Sequence, residues 1–300
     1  MSAAPSPNPP SRHHYIPEFL LKRWADDNGQ VMGFTAPVPG KIHRKRVFPS
    51  QIGFERNLYR SPRTDPVAAQ ALEAGFFSAL DNLAAKALDT LLIAERRTLH
   101  RESLEIWCIF IFALLHRNPA YFEALIEGGK RQLGAVLGDL EQRYDAVRAS
   151  NDPPCFEDFV AGFGEDYAET RTFDVIPNLI LNSNIIAFLH KMHWAVLFTG
   201  GMRPNLLLSD DPLVRTNGLR IDGGHVALPI SPDHLMIGAW QPEKLLELQR
   251  MPPAHLVQQV NQQTVGAARY FVVATDERQA RFIENRFGRT PRPPLVSADG

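Results

Sequence analysis

The sequence predicts an α+β fold: a helical middle packed against a mixed or antiparallel sheet built from N- and C-terminal strands. Three observations carry that expectation. Short β-prone runs lie before residue 60 and after residue 204. Between them, over 64–200, apolar residues recur at helical spacing. No internal repeat divides the chain, and strands at both ends around a helical centre suggest one α+β layer architecture. Residues 1–11 read as a disordered tail, 12–288 as a single domain and 289–300 as a flexible tail.

Each element follows in order. Phe19, Leu20 and Trp24 recur at helical spacing over 17–25, and Asp26-Asp27-Asn28-Gly29 ends that segment as a turn. Residues 30–36 and 41–48 predict two short strands around Pro37-Val38-Pro39-Gly40, and 57–60 connect them to the middle. Pro66 opens a long helix whose stripe is Ala69, Leu72, Phe76, Leu80, Leu83, Ala87 and Leu91. Residues 103–116 form a second helix, apolar nearly all round and hence central. Asn118-Pro119 breaks it and starts a third helix to about residue 149. A fourth is expected over 177–198, ended by Thr199-Gly200-Gly201. Strands follow at 205–208, 226–230, 234–239 and 270–274, with helices at 253–268 and from Asp276 to about 287.

The bulk composition is that of a globular chain able to bury a large core: 300 residues, 44% hydrophobic and 22% charged, with net charge −1. Net charge gives no global argument for nucleic acid or membrane. Its distribution is uneven, since residues 1–63 hold ten Lys/Arg and four Asp/Glu, which is +6 against −7 for the remainder. Lys41-Ile42-His43-Arg44-Lys45-Arg46 is the densest basic run. Such a run can meet an anionic or nucleic-acid ligand. It equally suits a solvated edge strand, where cations discourage sheet-to-sheet pairing. Cys108 and Cys155 are far apart and in no metal spacing, which suits a reducing compartment. No apolar signal segment opens the chain, and the longest apolar run, 106–115, is short for a membrane span. A cytoplasmic protein with no membrane partner is therefore expected.

Walker, GxGxxG, GxSxG, HExxH and CxxC motifs are absent. The polar signals are instead a set of short motifs. His14-Tyr15-Ile16-Pro17 with Phe19, Leu20 and Trp24 is followed by Asn57-Leu58-Tyr59, a helix around Glu73 and Arg117-Asn118-Pro119. Ser209-Asp210-Asp211-Pro212, Leu228-Pro229-Ile230-Ser231-Pro232, Asn261 and Tyr270-Phe271-Val272 complete the series. In order and spacing, from about residue 12 to 275, these resemble the DUF4238 family. Asp211 stands where that family often has Asn. The family is named for unknown function, so the resemblance implies no reaction and directs attention to these polar residues.

His14 can serve as general base, metal ligand or phosphate contact, or simply order the chain entry before Pro17. His13 reads as exposed. Asp210 follows a hydrophobic strand, a rigid place from which to present a carboxylate, although Ser209 and Asp210 before a proline also make hydrogen-bonded turns. Glu73 lies near the apolar boundary of its helix and needs a partner, for which Arg117 is the natural choice. Arg117 could instead hold an anion through its planar fork, beside Tyr15 and Ser209 as further substrate contacts. His190 and His193, at i and i+3 on the expected fourth helix, could face one metal but lack an acidic partner. Asn261 reads as a backbone bridge.

Two functions follow. In one, His14, Asp210 and Glu73 converge as catalytic groups, with His14 and Asp210 as candidate ligands of a divalent metal, to hydrolyse a phosphodiester or nucleic acid. In the other, the chain is a non-catalytic binding or interaction module whose polar motifs are structural.

Overall fold

The Arg101–Arg117 helix buries Trp107, Cys108, Phe110, Ile111, Ala113 and Leu114 and lies at the centre of the main core. A helix apolar on nearly every face must be covered on every face. The Ser78–Ala94, Pro119–Glu141, Tyr167–Ile180 and Ser183–Lys191 helices pack around it. The computed structural model describes residues 11–38, 40–94, 100–200, 203–216 and 218–293. The tail expected over 1–10, Pro39 and Gly201 of the expected turns, and 294–300 of the C-terminal tail lie outside the described residues.

The strands are β1 (Arg12–His14), β2 (Val31–Val38), β3 (Lys41–Val47), β4 (Phe54–Arg56), β5 (His193–Phe198), β6 (Leu208–Ser209), β7 (Val214–Arg215), β8 (His225–Ser231), β9 (His234–Ala239) and β10 (Phe271–Ala274). Every pairing among them is antiparallel. The N-terminal hairpin joins the C-terminal strands in one sheet of order β3-β2-β10-β6. A second sheet has order β5-β9-β8-β7, and β1 pairs with β4 as a small ladder. The fold is thus α+β, with antiparallel sheets.

Four expectations over the described residues are corrected. The helix expected over 177–198 is a helix to Ile180, a break, the Ser183–Lys191 helix and strand β5. Asn182 makes the break: its side chain accepts from the N–H groups of Asn184 and Ile185 and caps a new helix. His193-Trp194-Ala195-Val196-Leu197-Phe198 then pairs with β9 along its whole length. By length and composition 167–191 is apolar enough to cross a membrane, and it folds here as two separate helices. The third helix stops at Glu141. The 205–208 strand is the two-residue β6. Residues 289–293 of the expected tail pack on the fold, with the N–H of Thr290 donating to the Gly266 carbonyl at 2.8 Å.

The entry to the domain depends on one glycine. Gly53 adopts φ +73°, and its carbonyl accepts both the Tyr15 and Ile16 N–H groups, at 2.9 and 3.2 Å. A Cβ there would lie 3.2–3.3 Å from Leu21, Ile16 and Phe271 side chains. Left-handed backbone is strained for any residue with a Cβ, and here the space is closed as well. Gly53→Ala is expected to cost about 1–3 kcal/mol. Urea unfolding checks it: a lower midpoint at unchanged slope is expected, and an unchanged midpoint contradicts this account.

Candidate functional site

Strand β1 sets the geometry of the opening motif. Side chains alternate along a strand, so His13 and His14 point to opposite sides. His13, expected to be exposed, is fully buried. Its Nδ1 accepts the Tyr59 N–H at 2.8 Å, which places the ring proton on Nε2, and its ring stacks on Tyr59. His14 turns the other way, against Phe54, with Nε2 3.7 Å from Glu18 Oε1 and no hydrogen bond from Nε2 within the chain. Burial lowers its pKa, although the nearby Glu18 carboxylate pulls upward.

Arg117 ends the central helix and is fully buried. Its fork donates to Asp81 Oδ1 and Oδ2 at 2.5 and 3.0 Å, and Nη2 also donates to the His14 carbonyl at 2.8 Å. The guanidinium lies 4.5 Å over the Phe77 ring, and the Arg117 carbonyl accepts the Tyr59 hydroxyl at 2.7 Å. The expected Glu73–Arg117 pair is therefore replaced by Asp81–Arg117. Asp81 is the site residue that sequence reasoning missed. Its signal was modest: it sits among Phe77, Leu80, Ala84 and Leu88, the buried positions of one helix face.

Glu73 lies in a π-helical turn, Ala71–Phe77, a rare widening of the helix that recurs at functional sites. Burial pushes its carboxyl up to about 7; Arg117 pulls downward and Asp81 adds to the rise. Its Oε2 makes no hydrogen bond within the chain, and neither does Arg117 Nε. His14, Glu73, Asp81 and Arg117 thus share one electrostatic neighbourhood, in which three buried polar atoms make no hydrogen bond within the chain.

Asp210 belongs to a different network. Its buried carboxylate accepts the backbone N–H groups of Arg269, Tyr270 and Phe271 at 3.0 Å each, and Asn118 Nδ2 at 3.3 Å. Burial raises its pKa to about 6 against the pull of those N–H groups. Asn118 Nδ2 donates to the Asp210 carbonyl as well, at 3.0 Å. Ser209 Oγ donates to the Thr264 carbonyl at 3.0 Å and accepts the Asp211 N–H at 3.3 Å. Asp211 accepts from the Tyr121 hydroxyl at 2.7 Å and from Arg292 at 3.1 Å. Tyr15 is buried against Tyr270 and Phe271, and burial holds its phenol well above the usual range. Asn261 bridges the Leu207 N–H and the Asn205 carbonyl.

The structure therefore brings His14, Glu73 and Arg117 into one network and puts Asp210 and Ser209 in another, joined to Arg117 through the adjacent Asn118. Among the described residues, no group of three or more His, Cys, Asp and Glu side chains converges to hold a metal ion. His190 stands on a helix and His193 on β5, so the i,i+3 helical pair does not form. On the basic run, Arg44 pairs with Glu277 and Arg46 with Asp26. Lys41, His43 and Lys45, on the other side of this edge strand, are exposed and make no ion pair among the described residues.

With the geometry in place, the family question is decided by a match that runs through every one of these motifs. The family model described as "Protein of unknown function (DUF4238)" matches residues 12–278. The chain belongs to the DUF4238 family. No curated protein and no solved structure matches it. The match spans both DUF4238 networks, from His14 through Arg117 and Asp210 to β10.

Glu73 makes stability depend on pH. The folded chain keeps its proton up to about pH 7, whereas the unfolded chain releases it near 4.5. The folded state thus binds more protons within that window, so stability falls as pH rises through it and levels off above. Glu73→Gln keeps the shape and removes the charge. It is expected to match wild type near pH 4 and to be more stable at about pH 8, by up to about 3 kcal/mol. Denaturant melts at the two pH values measure this; an equal difference at both contradicts a buried, protonated Glu73.

Proposed function

We propose that this DUF4238 chain is a binding module for an anionic, phosphate-bearing partner, and that its shared polar motifs build the scaffold of that module. One observation carries the reading: the motif residues Asp210, Ser209, Asn118 and Asn261 spend their polar groups within the fold. Asp210 accepts from three backbone N–H groups and a side-chain amide, and Arg117 is closed on both forks by Asp81 and the His14 carbonyl. A carboxylate so saturated has no lone pair left to offer a metal or substrate, and uncovering it leaves three peptide N–H groups unpaired. Cations free to meet a partner lie at the surface, where Lys41 and Lys45 line the outer side of β3 beside His43. Exposed cations with no internal partner attract phosphates and release counterions when they bind them.

Thermal melts with and without Mg²⁺, Mn²⁺ and Zn²⁺ test the reading. No metal is expected to raise the melting temperature of the wild type. Asp210→Ala is expected to destabilise by about 3–5 kcal/mol, the usual result of stripping a buried charged partner from its donors. A metal-dependent rise that Asp210→Ala abolishes would overturn the scaffold role and favour the metal-dependent hydrolase.

A second reading has its own support. At near-neutral pH, Glu73 keeps a proton while His14 stays neutral, the inverse of their ordinary order, and both lie in the field of Arg117. Environments that separate two titratable groups in this way can assign an acid and a base for phosphodiester hydrolysis. Metal-free cleavage of bis(p-nitrophenyl) phosphate, lost in Glu73→Gln but with the fold intact, is its expected signature; equal release by wild type and variant removes it.

A further inference from the structure

A cleft of 970 Å³ opens between the Pro253–Ala267 helix and the segment that follows the Ala280–Glu284 helix, and it borders the Asp211 network through Arg292. One wall is the outer face of the Pro253–Ala267 helix, where Gln259, Gln262 and Gln263 fall at i, i+3 and i+4 and so line one side. The other wall is the turn that follows the Ala280–Glu284 helix, from which Arg286 and Arg289 reach the cleft. The cleft is built, not incidental. The N–H of Gly288 donates to the Val265 carbonyl at 3.1 Å and that of Thr290 to the Gly266 carbonyl at 2.8 Å. Gly266 allows the crossing, since a Cβ there would lie 2.2 Å from Thr290 Oγ1. Arg292 pins the end of the segment through Asp211 and the Leu213 carbonyl.

The chemistry of this lining is one-sided. Its nine residues include three arginines and four carboxamides, and no carboxylate. Arg292 is neutralised by Asp211, but Arg286 and Arg289 make no ion pair among the described residues. Arg286 is nonetheless oriented, because its guanidinium lies 4.3 Å over the Phe282 ring. The N–H of Arg289 donates to the Arg286 carbonyl at 3.2 Å, so a tight turn holds the two arginines three residues apart.

We propose that this cleft binds the phosphate of a nucleotide or of a nucleotide chain, with Arg286 and Arg289 on the phosphate and the glutamine amides on base edges and hydroxyls. Guanidinium forks match phosphate oxygens, and carboxamides match the paired donor and acceptor groups of bases. Gln259 Nε2 already meets His255 Nε2 at 3.0 Å, so Gln262 and Gln263 are the amides left for a base edge, and a bare inorganic anion would use the arginines without them. The volume accommodates a ligand of nucleotide size. The inference rests on the anion-binding reading above and gives it a second site besides β3.

The full chain is titrated against a fluorescein-labelled RNA of about ten nucleotides, within the usual range of single-strand site sizes. AMP and inorganic phosphate are then added as competitors. R286Q/R289Q is expected to weaken RNA binding at least about tenfold at an unchanged melting temperature, since neither arginine holds the fold by an ion pair. AMP is expected to displace the RNA at lower concentration than inorganic phosphate. If the double variant melts early, R289Q alone, at a fully surface position, carries the comparison. Binding that survives R286Q/R289Q but is lost in K41Q/K45Q overturns the cleft and leaves the anion-binding reading standing. Phosphate competing as well as AMP overturns the nucleotide assignment. Wild type that binds none of the three probes overturns both.

Discussion

Arg117 carries a permanent charge into a part of the molecule that water does not reach, and the surrounding fold is arranged to answer it. A guanidinium cannot shed its proton to escape burial, so its donors must be met by the chain. Asp81 meets two of them and the His14 carbonyl a third. The first comes from the Ser78–Ala94 helix and the second from β1, so one side chain fixes the N-terminal entry against two core helices. Its backbone adds a fourth tie by accepting from Tyr59, which in turn donates its N–H to His13. Arg117 ends its helix because Pro119 follows after one residue, and that ending delivers the guanidinium and the Asn118 amide to opposite networks.

Asn118 is the hinge between those networks. Its Oδ1 caps the Pro119–Glu141 helix through the Ala120 N–H, and its Nδ2 reaches the carbonyl and carboxylate of Asp210. Asp210 then gathers the N–H groups that open β10 and so seats an interior strand of the first sheet. The charges at the two ends are satisfied differently. Arg117 is balanced by a countercharge, whereas Asp210 is held by peptide dipoles. Three aligned N–H groups stabilise a carboxylate without requiring a cation, and they order the backbone that supplies them. Glu73 is the group that neither device reaches. Asp81 took the arginine, so Glu73 remains beside it with a raised pKa and one bare oxygen.

Much of this organisation was legible, for physical reasons that differ by element. The helical middle showed itself because a 3.6-residue period over many turns is hard to imitate, and the all-apolar 103–116 stretch announced a central helix. The 177–198 stretch misled because its apolar residues satisfy both periods: the strand alternation of Trp194, Val196 and Phe198 is hidden in a continuous hydrophobic run. Only the Asn182 cap separates the two readings. Strand β1 is three residues long, too short for any periodicity, and without it the alternation that buries His13 cannot be inferred. Asp210 was legible as a special carboxylate. Its partners were not, because they are backbone N–H groups sixty residues away, which every sequence contains. Asp81 and Glu73 lie two turns apart near one helix face, and which of them reaches Arg117 depends on the π-helical turn between them. That turn shifts the facing of Glu73, and no local residue preference announces it.

The placement of function follows from how the interior is occupied. A motif can recur in a family because it does chemistry or because a fold fails without it, and the two leave different marks on hydrogen bonding. A working site keeps unsatisfied capacity, since its groups must have something to offer the ligand. A scaffold node leaves none. By that measure Asp210, Ser209, Asn118, His13 and Asn261 are nodes, because each spends its polar atoms inside the chain. Unspent capacity remains in two kinds of place. Inside, around the closed Arg117–Asp81 pair, it lies on Glu73 Oε2, His14 Nε2 and Arg117 Nε. Outside, it is carried by whole cations, among them Lys41 and Lys45 on β3 and Arg286 and Arg289 in the cleft. A surface cation gives up little internal bonding when it meets a phosphate, whereas Arg117 must first leave Asp81. Contact with an anion through a surface cation therefore costs the fold less than contact through Arg117.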